Sequence, residues 1–312
     1  MHLAEGTLPI AHATVGWALT VPALAWSLAG VRTGGDAEYA TGRGAPRLLP
    51  AATSLLFAAT LLPLPVPVLG ATSHICLTPV LALLLGVRAV VWPTFFVLGL
   101  QALFFAHGGL TTLGVNTLSL GMVGPVVAVG CAGLLRLAGA PAAITVGVAC
   151  GLADLAVYVA DAAVLGVALA DVAAPVDTFS AVVVGFAPVQ VPLAVMEGVI
   201  SVALVRLLVR RKPALLPLWL AGTTRRLPPS SLTGAVLVLV ALLTSGCGYE
   251  GIDGTVFGAV AAGAGQPPTD SVVDWSGGEL GLAARLAVPF LFGFVAGRAW
   301  ERLGVEEDAP SR

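Results

Sequence analysis

The chain has 312 residues, of which 57% are hydrophobic and only 10% charged, with a mean hydropathy of +0.97 and a formal net charge of −2. Soluble domains carry roughly a quarter charged residues, so this composition excludes an ordinary soluble protein and points to one that lives in a bilayer. The near-neutral balance, with no basic stripe interleaved with aromatics, argues against nucleic acid as a partner; four cysteines without a C-x-x-C pair argue against a disulfide framework.

Apolar runs of spanning length recur along the chain. Taken in order, they predict membrane segments at about 10–30, 49–69, 76–87 (short), 89–106, 120–137, 142–165, 181–209, 231–247 and 282–299. The expected fold is therefore all-α, a polytopic transmembrane helical bundle of about nine segments. Arginines and lysine gather at alternate joints: Arg32, Arg43 and Arg47; Arg88; Arg136; Arg210, Arg211, Lys212, Arg225 and Arg226; then Arg298, Arg302 and Arg312. Because positively charged joints stay in the cytoplasm, the N-terminus is expected outside and the C-terminus inside, with only Arg285 left on the outer face. The start "MHLAEG" lacks a cationic n-region and is not expected to be a cleaved signal peptide.

The joint "RRKPALLPLWLAGTTRRLPPSS" is basic and proline-rich and divides the chain into a membrane component at 1–212, a linker at 213–230 and a two-span segment at 231–312 with a long outer loop. That loop, rich in glycine and acid, reads as a flexible cover rather than a fold of its own.

Only four histidines occur, and one is His2. A free amine on Met1, the amide nitrogen of residue 2 and the His2 imidazole are joined by short chelate rings, so they can hold one cation without a fold to assemble them. The outer loop "GATSH" would bring His74 as a fourth nitrogen. Four nitrogens in a plane suit Ni(II) or Cu(II), with Co(II) possible, and suit magnesium or calcium poorly. Tetrahedral zinc fits less well, since the outer face lacks cysteine or carboxylate partners at the usual spacings. The residues alone also allow His2 to be a solvated terminal side chain and His74 a polar group in a tight turn.

The stretch "HGGLTTLGVNTLSLGMVGP" from His107 to Pro125 is polar and small between two spans, which predicts either the irregular wall of a site or an ordinary loop permitting close helix packing. Asp154 and Asp161, seven residues apart on one helix face, and Glu197 in another span are intramembrane carboxylates. They support a rival reading, a proton- or sodium-coupled secondary cation carrier using Asp154 and Asp161. An enzyme is a third reading, but no G-x-S-x-G, H-E-x-x-H or dinucleotide loop is present, and Ser73 beside His74 is too little to name a nucleophile. With a single lysine, Lys212, and no G-x-x-x-x-G-K-[ST], the chain has no P-loop, so ATP-driven transport requires a separate ATPase subunit.

The segments "MHLAEGTLP", "GATSH", "LFFAHGGLTTLGVNTLSLGMVGP" and "VPLAVMEGVISVALVRLL" together resemble the CbiM/NikM family, substrate-binding membrane components of energy-coupling factor transporters for cobalt and nickel. The resemblance covers about residues 1–210. It implies a metal held by Met1 (amine), His2 (amide and imidazole) and His74, with Ser73, His107, Asn116 and Ser119 as neighbours that shape the site. Some relatives carry Asp at the position of His107, and cobalt-type relatives follow the loop histidine with proline where this chain has "HICLTP". The resemblance also implies no resident cofactor, Co(II) or Ni(II) as the transported ligand, a transmembrane coupling subunit and ATPase subunits as partners, and the prokaryotic plasma membrane as location. The last pair of spans is similar to the small accessory component that assists loading in such systems.

Overall fold

The computed structural model describes residues 2–33, 45–61, 64–66, 71–211, 216–221, 250–251, 254–270 and, near the C-terminus, 272, 281, 283, 287–289 and 291–295. The described chain is helical apart from one small sheet. In order it comprises α1 (Ile10–Thr33), α2 (Ala45–Leu61), β1 (Leu64–Val66), β2 (Ala71–Ser73), α3 (Thr78–Leu85), α4 (Val87–Phe105), α5 (Leu113–Leu118), a π-helical turn (Ser119–Val123), α6 (Gly124–Leu137), α7 (Ala142–Ala168) and α8 (Pro175–Arg211). It continues through α9 (Leu218–Ala221), β3 (Glu250–Gly251), a second π-helical turn (Gly254–Gly258) and α10 (Ala259–Gly263).

Four described helices are long and apolar enough to cross a membrane: Val87–Phe105, Leu113–Leu137, Ala142–Ala168 and Pro175–Arg211. The protein is an integral membrane protein. The spans expected at 10–30, 142–165 and 181–209 each fall within a helix and 89–106 overruns α4 by one residue, Ala106, whereas 231–247 lies outside the described residues. Of 282–299, the described positions 283, 287–289 and 291–295 are helical.

Two expectations are corrected. The run at 49–69 is not one span: the helix stops at Leu61, where prolines 63, 65 and 67 remove ladder donors, and the chain turns into β1. β1 pairs antiparallel with β2, which pairs parallel with β3, so the two halves of the sequence meet in a three-stranded sheet. The polar stretch 107–125 is mostly helical rather than irregular, since helix begins at Leu113 and runs through the π-helical turn into α6.

The short helix α3 is the centre of the bundle. All eight of its residues are buried, and it packs against α4, α6 and α7. Gly86, at φ 84°, breaks it from α4, a conformation glycine adopts without a Cβ clash. Helices α7 and α8 pack closely because small residues face each other: a Cβ on Gly198 would lie 2.5 Å from the Gly147 carbonyl oxygen, and one on Gly151 would lie 2.8 Å from that of Ala194. On the other side, Gly114 of α5 meets the α1 backbone at Gly16 and Trp17, and Thr20 donates to the Gly114 carbonyl at 2.7 Å.

Candidate metal centre

The segment before α1 is folded into the protein. His2 is 3% exposed, Leu3 fully buried and Glu5 4% exposed, and what holds them is the loop between α4 and α5 together with the start of α5. The Leu3 N–H donates to Asn116 Oδ1 at 2.9 Å, while Asn116 Nδ2 and the Thr112 hydroxyl donate to the Leu3 carbonyl at 3.0 and 2.6 Å. The Glu5 carboxylate accepts from the Leu110 and Thr111 amides at 2.7 and 3.2 Å and from the Thr111 hydroxyl. Glycine at 109 is required, because a Cβ there would lie 2.6 Å from the Glu5 nitrogen. From the other end of the sequence, the Thr269 N–H donates to the Glu5 carbonyl at 2.9 Å.

With the segment so held, three imidazoles meet. One nitrogen from each of His2, His74 and His107 lies within 4.8 Å of the other two. The His2 and His74 rings are stacked at 4.9 Å and 29°; His107 stands edge-on to both, at 4.5 Å from His2 and 5.5 Å from His74. His74 is 4% exposed and His107 half-buried. The chain reaches this arrangement by leaving α4 through Ala106 in a left-handed conformation, φ 49°, followed by Gly108 at φ 80°.

Both ring nitrogens of His2 are buried with no hydrogen-bond partner among the described residues. Buried polar atoms are normally paired, and an imidazole left this way is poised to accept a ligand or ion. Burial, and after it the neighbouring positive charge of groups including His107, holds the His2 and His74 imidazoles well below their ordinary pKa. They are therefore neutral, the form that coordinates metal. For His74 the tautomer is also fixed: Nδ1 lies 3.3 Å from the Ile75 carbonyl oxygen, which can only accept, so the proton sits on Nδ1 and Nε2 carries the lone pair.

Of the residues singled out in the sequence, Met1 lies outside the described residues. His2, His74 and His107 come together, and Asn116 sets the backbone beside His2. Ser73 and Ser119 have other partners: the Ser73 hydroxyl bonds the Tyr158 hydroxyl at 2.9 Å, and Ser119 donates to Asp161. Asp154 accepts from the Cys76 thiol and from Gln190 Nε2. Sequence reasoning missed Glu5 and the engagement of Glu197 with the His74 loop, since neither residue's partners are near it in sequence. The long outer loop expected as a flexible cover is, in its described part, packed on the bundle: Phe257 is buried against Phe186 at 4.5 Å. Apolar cavities of about 780 and 630 Å³ lie along α2 and Phe292 and include none of the histidines.

Imidazoles clustered at a buried site in a multi-span helical membrane protein are the ligand set of a transition-metal ion, and the relatives place such a site in the class of membrane transport proteins. Residues 2–215 match the family model described as the cobalt uptake substrate-specific transmembrane region, CbiM, and the chain belongs to that family. It is 32% identical to a cobalt transport protein CbiM of Geobacter sulfurreducens, over 98% of this chain and 90% of that one. It is 37% identical to the CbiM of Sorangium cellulosum over 69% of this chain and 94% of that one. Among solved structures, a truncated transition metal transporter superposes with a TM-score of 0.57 at 22% identity, covering 67% of this chain and 99% of that one, a likeness of fold.

Proposed function

We propose that this protein is the substrate-binding membrane component of an ATP-driven energy-coupling factor importer for Co(II) or Ni(II). The observation that carries the reading is the buried meeting of His2 with His74, in which the His2 ring nitrogens have no hydrogen-bond partner among the described residues. The Met1 amine, the residue-2 amide, the His2 ring and His74 Nε2 would supply four nitrogens, with His107 completing the wall. Such a set favours nitrogen-loving divalent ions over magnesium and calcium, which want oxygen. The relatives named as cobalt transport proteins support cobalt as the ion.

About nine membrane segments, the second of them ending at Leu61, with an outer N-terminus and a cytoplasmic C-terminus in a prokaryotic plasma membrane, fit the distribution of basic residues. The division at 1–212, 213–230 and 231–312 is supported by the family match, which ends at 215. The final module reaches the metal module through β3 and Thr269, consistent with a fused accessory component that assists loading. Without a P-loop, the chain draws its energy from a transmembrane coupling subunit and ATPase subunits. The rival carrier reading is weakened by the partners of Asp154, which ties down the His74 loop.

The test is metal titration of C-terminally tagged protein beside a variant with one residue added before Met1. Wild type should bind about one Co(II) or Ni(II) tightly and the extended variant should not. Equal binding by both removes the amino terminus from the site, and uptake driven by a proton gradient without ATPase partners would replace the reading with the carrier.

A further inference from the structure

Glu197 sits within α8, yet both carboxylate oxygens are committed to the loop that carries His74. Oε2 accepts the Cys76 N–H and Oε1 the Leu77 N–H, each at 3.0 Å. Leu77 is the N-cap of α3 and has no side chain able to cap it; it is also left-handed, at φ 57°, which a leucine seldom adopts. The amides at the start of this fully buried helix are thus satisfied from a different helix, 120 and 121 residues away in sequence. Asp154 of α7 secures the same turn by accepting the Cys76 thiol at 2.9 Å, and Gln190, two turns before Glu197 on α8, donates to its other oxygen. The close approach of α7 and α8 at Gly147 and Gly198 brings the two carboxylates under one loop.

The consequence for the metal centre runs through one peptide plane. The Ile75 carbonyl and the Cys76 N–H belong to the same planar unit and, in a trans peptide, point in opposite directions. When Glu197 draws the N–H to one side, the carbonyl is directed to the other, where it meets Nδ1 of His74. That contact fixes the tautomer that leaves Nε2 as the ligand atom.

We infer that Glu197 is the positioning residue of the metal site: through the 75–76 peptide it sets the orientation and tautomer of His74, with Asp154 holding the same turn from the far side. The inference rests on the proposed metal-binding function. It assigns this intramembrane carboxylate to preorganising a ligand, the role outer partners of metal-bound histidines play elsewhere, where their loss costs about 10- to 100-fold in affinity.

The experiment is Cu(II) and Ni(II) titration of detergent-purified wild type and Glu197→Gln, with electron paramagnetic resonance of the Cu(II) forms to count bound nitrogens and thermal unfolding of the metal-free proteins. Glutamine keeps the volume and one acceptor but turns an NH2 group toward a backbone N–H. The expected result is a folded variant with affinity lowered at least tenfold and a Cu(II) spectrum changed from four nitrogens toward three. A role in folding alone would lower the melting temperature and leave the spectrum of the bound fraction as in wild type, which overturns the inference, as does unchanged affinity and spectrum. Should Glu197→Gln not fold, Glu197→Asp, which keeps both acceptors one methylene short, is read in the same way; if neither folds, Glu197 is a folding residue and the inference fails. If wild type itself binds no metal, the metal-site reading fails first and takes this one with it.

Discussion

The two arms that bring His2 and His74 together are held by different means. The His2 arm is a coil anchored at the start of α5, by the Asn116 carboxamide and the Thr112 hydroxyl, and by Glu5 against the 110–111 amides of the preceding loop. The His74 arm is anchored from inside the bundle by carboxylates on two spanning helices. The first arm's partners lie in the α4–α5 loop and at the N-terminal end of one helix, whereas the second arm's partners lie within two spanning helices, α7 and α8. The difference puts the two arms under separate control: a change at the start of α5 or in the loop before it reaches His2 first, and a change in α7 or α8 reaches His74 first.

The largest effect should come from removing either imidazole. His2→Ala and His74→Ala should each abolish tight Co(II) and Ni(II) binding while the protein stays folded, as judged by titration and gel filtration. If one of them binds as wild type does, that arm contributes no ligand and the comparison collapses.

Next come the anchors of the His2 arm. Asn116→Ala removes two hydrogen bonds to Leu3 and leaves a buried N–H without its acceptor, which costs about 1–3 kcal/mol. Metal affinity should fall about 10- to 100-fold, and amide hydrogen exchange at Leu3 and Glu5 should rise while that at residues 76–77 stays protected. Faster exchange in both arms would mean that they are not independent. Gly109→Ala should act in the same direction, since its methyl would press on the Glu5 backbone.

How far this was readable in the sequence depends on the range of each contact. Helices α1, α4, α7 and α8 follow from apolar runs, because a run of spanning length needs no partner to declare itself. The break at Leu61 was also written in the sequence, in the alternating prolines of "PLPVP", but it loses to overall hydropathy when a long window is averaged. The three histidines could be nominated from the N-terminal chelate and a family resemblance. The roles of Glu5 and Glu197 could not, since each is made by partners more than a hundred residues away, at 110–111 and at 76–77. A carboxylate in a span reads as a proton carrier until the structure provides backbone amides for it.

A smaller effect concerns pH. His2 and His74 are held below the ordinary histidine value of 6.5, mainly by burial. As pH falls past about 6.5, the unfolded chain takes up protons that these folded imidazoles refuse, so stability declines toward acid. The metal-free protein should melt at a lower temperature at pH 5.5 than at 7.5, and the decline should shrink in His2→Gln; an identical decline in the variant would assign it to other groups.

The smallest effect, and the one that most sharpens the comparison, is expected from His107. It belongs to neither arm: it hangs from the left-handed exit of α4, half-exposed, edge-on to both other rings. If the four nitrogens come from Met1, His2 and His74, then His107→Ala leaves all of them in place. Affinity should then change by less than about tenfold, or roughly 1.4 kcal/mol. Loss of binding as complete as in His2→Ala would instead make the site a cluster of three imidazoles. An added residue before Met1 should then do little harm, so the two variants measured side by side decide whether the amino terminus or the third ring completes the metal's coordination.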